Sequence, residues 1–123
     1  MDIHYNAFIS YRHHPADIKV AEQIHKGLEH YRIPKALKKK NLSKMRLFRD
    51  KEELPITSNL TDDITRALRN SDFLIVICSP HTQESIWVQR EIETFLQSHD
   101  HSRILTVIAD GEPYDVIPEI LCS

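Results

Sequence analysis

DFLIVICS, residues 72–79, decides how this chain folds. Its six consecutive apolar residues, Phe73 to Cys78, are too few for a membrane span. They are also too uniformly apolar for a strand with one wet face. The run reads as a strand buried on both faces, and such a strand needs helices above and below its sheet. Ser79-Pro80 stops it.

The neighbouring segments supply those helices. Downstream, the helix carrying SIWVQREIE (85–93) runs to about Gln97, and RILTVIADG (103–111) is a further strand. Upstream, Thr61 with Ile64, Ala67 and Leu68 marks a helix ending near Asn70. Before it lie a brief strand, RLFRD (46–50), and the polar loop KEELPITSN, which contains Pro55. NAFISYR (6–12) is the first strand. Asp17 is placed to cap a helix whose apolar positions Ile18, Ala21, Ile24, Leu28 and Tyr31 keep helical spacing up to Pro34. Strictly alternating strands and helices predict an α/β domain with a parallel sheet and right-handed crossovers.

Composition agrees with one globular domain. The 123 residues are 41% hydrophobic and 28% charged, with a formal net charge of −2 that gives no pull towards nucleic acid or anionic membrane. Neither a membrane span nor a signal peptide is visible. Cys78 and Cys122 suggest no disulfide framework, so a cytoplasmic location is expected. Glycine occurs only at positions 27 and 111, which excludes the Gly-rich phosphate loops of dinucleotide-binding and P-loop folds.

In a parallel sheet of this kind, ligands lie beyond the carboxyl ends of the strands, where strand order reverses. In a 2-1-3-4 order the reversal falls between the first and third strands. Tyr11, Arg12 and His13 would then line one side of a crevice. Ser79, Trp87 and Glu91 would line the other. Val88, Ile92, Phe95 and Leu96 form the apolar stripe of the third helix, and the Trp87/Glu91 pair is displaced from it by about 100°. Taken alone, the pair is a tryptophan at the core margin and a solvated carboxylate. Its position at the reversal point favours a site.

YNAFISYRH, RLFRDKEELP, DFLIVICSP and SIWVQREIE occur in the order and spacing of a Toll/interleukin-1 receptor (TIR) domain. The chain resembles the bacterial members over residues 4–112. The resemblance implies a flavodoxin-like fold, and a loop at about 50–60 used in domain–domain contacts. It also implies, for enzymatic members, cleavage of the nicotinamide–ribose bond of NAD+. By the same resemblance Glu91, one turn after Trp87, matches the catalytic glutamate, and Arg12 matches a substrate contact. NAD+ is then substrate rather than cofactor.

A lone carboxylate suits that chemistry. Glycosidases pair two acids because the leaving oxygen needs a proton. The pyridinium of NAD+ leaves as neutral nicotinamide without one. A single carboxylate then suffices to hold the ribose and stabilise positive charge at the anomeric carbon. Trp87 offers an aromatic face to a cationic ring, and Arg12 a planar fork to a phosphate. The rival reading is a non-enzymatic module that signals only by TIR–TIR contacts. For either, exposed Leu54, Pro55 and Ile56 are the expected self-association element.

Other chemistries fit less well. A receiver domain needs acidic residues after the first strand and an Asp ending the third, where this chain has SYRHH and CSPH. The His13-His14 and HDH (99–101) groups do not have convincing metal-ligand spacing, so no metal is expected. Ser79, His81, Glu84 and Ser85 lack a nucleophile elbow. The lysines between 35 and 44 carry no interleaved aromatics and read as a solvated loop rather than a nucleic-acid site.

Residues 1–112 thus read as the domain, and 113–123 as a short turn. The fifth strand and last helix usual in the family have no counterpart here, which leaves RILTVIADG as an apolar edge strand. The expectation is a module of a longer chain, the effector part of a bacterial defence protein.

Overall fold

The computed structural model describes residues 4–29, 46–49, 60–80, 82 and 85–109. Among these the elements run β1 (Tyr5–Ser10), α1 (Pro15–Glu29), β2 (Leu47–Arg49), α2 (Asp62–Arg69), β3 (Ser71–Cys78), α3 (Ile86–Leu96) and β4 (Ile104–Ile108). All strand pairs are parallel, in the order β2-β1-β3-β4. This is the flavodoxin-like α/β arrangement expected from the sequence, with β1 and β3 as its inner strands and helices on both faces.

Strand alternation sorts the core into two layers. Phe8 of β1 and Leu74, Val76 and Cys78 of β3 pack under α2 and α3 with Ile64, Leu68, Val88, Ile92 and Phe95. Ala7, Ile9 and Tyr11, with Ile75 and Ile77, pack under α1 against Ala21. The alternation also fixes where polar residues at the strand ends point. Ser10 follows Phe8 to the α3 side, and Ser79 follows Ile77 to the α1 side.

The helix ends are chemically specified. Thr61 accepts the Ile64 N–H at 3.3 Å to start α2, and Ser85 accepts the Val88 N–H at 3.3 Å to start α3. α1 differs from expectation. It begins at Pro15, whose fixed φ suits the first helical position, and the Ile18 N–H donates to the His14 carbonyl at 2.9 Å. Asp17 is therefore inside the first turn and does not cap it.

β1 ends at Ser10 rather than at residue 12, because the chain leaves the sheet to reach Pro15. Before β4, Asp100 accepts from the Ser102 hydroxyl and the Ser102 N–H, and these bonds hold its carboxyl below its ordinary value. Among the described residues β4 pairs only with β3, and its Leu105 (50%) and Ile108 (39%) are exposed. No helix among the described residues is long and apolar enough to cross a membrane. Cys78 is a buried free thiol.

Candidate active site

The carboxyl ends of β1 and β3 lie side by side, with Ser10 level with Val76. β2 and β4 flank them on opposite sides, so this is the point where strand order reverses. The chain turns from β1 into the start of α1 and from β3 into the start of α3. Both helices therefore present their amino ends, the positive ends of their dipoles, to this edge.

On the α3 side, Glu91 is only 5% exposed, and its Oε1 accepts the Ser10 hydroxyl at 2.8 Å. The solvated-carboxylate reading is excluded. Glu91 is three residues from Val88 and four from Phe95, so it shares their buried side of the helix. Trp87 alone keeps the marginal position. It is half-buried, and the Arg90 guanidinium lies 5.0 Å from its ring centroid.

On the α1 side, Ser79 donates its hydroxyl proton to Asp17 Oδ2 at 2.8 Å, and both residues are buried. A small network fixes the serine. Its N–H donates to Thr82 Oγ1 at 2.7 Å, and the Thr82 hydroxyl donates to the Ile77 carbonyl at 3.0 Å. Thr82 itself is 1% exposed. Tyr11 belongs to the core under α1, with its ring stacked on His13 at 4.8 Å. Arg12 is half-buried in the loop that follows β1.

The structure thus brings Ser79, Trp87 and Glu91 to one edge, with the Tyr11–His13 loop beside them. Leu54, Pro55 and Ile56 fall outside the described residues. Ser10 and Thr82 were not singled out from the sequence, and Asp17 was given only a capping role. A serine ending a buried apolar strand was the available signal, since a buried hydroxyl needs a partner. A groove of about 460 Å³ opens at the opposite edge, lined by residues that include Asp72, His99, Asp100 and Arg103, and it contains none of the crevice residues.

The parallel 2-1-3-4 sheet, with a buried glutamate one turn after a tryptophan at its switch point, defines a flavodoxin-like α/β domain. The family is that of the TIR domain, whose model matches residues 7–121, and the chain belongs to it. It is 36% identical over 112 residues to the NAD(+) hydrolase ApTIR of an Actinoplanes species. That match covers 88% of this chain and 14% of the relative, so the chain spans a small part of that protein's length. Among solved structures it is similar to the TIR domains of the activated Roq1 resistosome directly recognizing the pathogen effector XopQ. The TM-score is 0.53 at 21% identity, over 85% of this chain and 55% of that one, a likeness of fold.

Proposed function

We propose that this domain cleaves the nicotinamide–ribose bond of NAD+, with Glu91 as its catalytic carboxylate. The observation that carries the reading is the burial of Glu91 at the switch point, with one carboxylate oxygen fixed by Ser10. A carboxylate removed from water and held by a hydrogen bond is preorganised, and such groups act most strongly on charge that develops during reaction.

The bond from the ribose anomeric carbon to the pyridinium nitrogen breaks, and its electron pair neutralises the ring. Nicotinamide leaves neutral, and the cationic ribosyl centre is stabilised by Glu91. Water then attacks the anomeric carbon, losing its proton to Glu91 or to solvent, and ADP-ribose results. Attack by an adenine nitrogen of the same molecule instead gives a cyclic product. Trp87 stacks on the departing ring or the ribose, and Arg12 meets a phosphate. The similarity to a protein named as an NAD(+) hydrolase supports the assignment. A scaffold that signals only by assembly has no use for a buried carboxylate in this crevice.

Self-association is proposed as the activating step, through the loop carrying Leu54, Pro55 and Ile56. One solved structure of similar fold is that of an activated resistosome. The direct test is nicotinamide release from NAD+ by the purified protein across a dilution series. Specific activity is expected to rise with concentration, and Pro55→Asp to flatten that rise without unfolding the domain. Constant specific activity across about a hundredfold dilution would rule out assembly-gated catalysis, because mass action must show over that range.

A further inference from the structure

The two serines of the crevice share one property. Ser10 gives its hydroxyl proton to Glu91, and Ser79 gives its proton to Asp17. A hydroxyl has one proton, so each serine meets any other partner as an acceptor. The strand ends carry two buried serine–carboxylate pairs, one on either face of the sheet, Ser10 being 0% and Ser79 3% exposed. Asp17 is the more unusual of the two carboxylates. It is 1% exposed, its Oδ2 is bonded to Ser79, and its Oδ1 is buried without a hydrogen-bond partner. A buried carboxylate oxygen left unmatched is costly for folding alone. The place of Asp17 in the first turn of α1 favours a negative charge there, but leaves Oδ1 unmatched.

From this geometry we infer that Asp17 is a positioning and specificity residue of the crevice. It fixes and polarises Ser79, so that the site favours a ligand carrying positive charge over a neutral ligand of the same shape. The hydrogen bond from Ser79 to Asp17 increases the negative character of the serine oxygen, as coupled hydrogen bonds do. Glu91 and Asp17 then act on the ligand from opposite faces of the sheet, Glu91 next to the reacting bond and Asp17 through Ser79. This inference rests on the NAD+ reading and adds to it a basis for discriminating the oxidised from the reduced dinucleotide. The two differ chiefly in the charge and planarity of one ring. NADH cannot release its ring as a stable neutral molecule, so it serves as an uncleaved competitor.

The test measures NADH as an inhibitor of nicotinamide release and the binding of both dinucleotides by calorimetry. The parent is expected to bind NAD+ more tightly than NADH. Asp17→Asn keeps the shape and an acceptor for Ser79 but removes the charge. It should weaken NAD+ binding about tenfold, the scale of one charge–charge interaction in a partly buried site, and leave NADH binding unchanged. Ser79→Ala removes the polarised oxygen and should lower the same ratio, which keeps the test decisive if the Asp17 variant does not fold. Equal weakening of both dinucleotides, or an unchanged ratio in a folded variant, would show a packing role and overturn the inference. A parent that releases nicotinamide but binds both forms equally overturns this inference alone. A parent that prefers NAD+ yet releases no nicotinamide overturns the catalytic reading and leaves the selectivity standing.

Discussion

Glu91→Gln is expected to lower the kcat of nicotinamide release by about 10²–10³, the usual cost of losing one preorganised electrostatic partner. The replacement is nearly isosteric and a comparable helix former. Its amide oxygen can still accept the Ser10 hydroxyl that Glu91 Oε1 accepts at 2.8 Å. What disappears is the negative charge that opposes cation development at the ribose. KM should move little, because ground-state contacts survive, and the melting temperature should fall only slightly. Steady-state kinetics and a thermal melt on the same preparation read all three quantities. A glutamine variant as active as the parent would reduce Glu91 to a structural partner of Ser10. A variant that unfolds would show that the carboxylate is needed for packing.

Much of the fold was legible because one strand is buried on both faces. The run Phe73–Cys78 could not be satisfied by an exposed sheet or a single helix, and the polar breaks around it marked the crossovers. The residues facing each layer followed from alternation along β1 and β3. Strand and helix ends were less legible, since they depend on tertiary contacts. β1 stops at Ser10 because the next residues turn towards α1, and nothing in YRHH signals that turn. Asp17 was misread as a cap because Asp is a strong capping residue. Pro15, two positions earlier, is the better marker of where α1 begins.

The site was legible at one end and hidden at the other. Trp87 and Glu91 are four apart on one helix, so their proximity is local and visible in the sequence. Their partners are not local. Ser10 and Glu91 are 81 positions apart, and Asp17 and Ser79 are 62 apart. Only the strand order brings them together. The burial of Glu91 was missed for a related reason. The angle from the centre of an apolar stripe suggested a solvated position, but Ser10 extends the buried region beyond the apolar residues. A polar partner on the sheet lets the helix bury a carboxylate at its stripe's edge.

Removing aromatic rings from α3 should separate packing from function. Phe95 is fully buried between the helix and the sheet, and His99 stacks on its ring at 4.0 Å. Phe95→Ala deletes that packing and leaves a cavity, so it should cost about 3–5 kcal/mol. In a domain whose whole stability is of order 5–15 kcal/mol, that corresponds to a fall in Tm of roughly 10–20 °C. Whatever remains folded should keep much of its turnover per molecule, because Phe95 does not line the crevice. Trp87→Ala is expected to behave in the opposite way. The ring is half-buried at the helix margin and its contact with Arg90 is worth only about 0.5–1 kcal/mol, so the stability loss should be nearer ~1–2 kcal/mol. Its loss of activity should exceed anything that instability explains, since the aromatic face beside the reacting ring is gone. Melting curves and nicotinamide release, corrected for the folded fraction, make the comparison. If Trp87→Ala proved as destabilising as Phe95→Ala and the folded fraction kept full turnover, Trp87 would be a core residue. The stacking role assigned to it would then fall, while the case for Glu91 would rest on the glutamine variant alone.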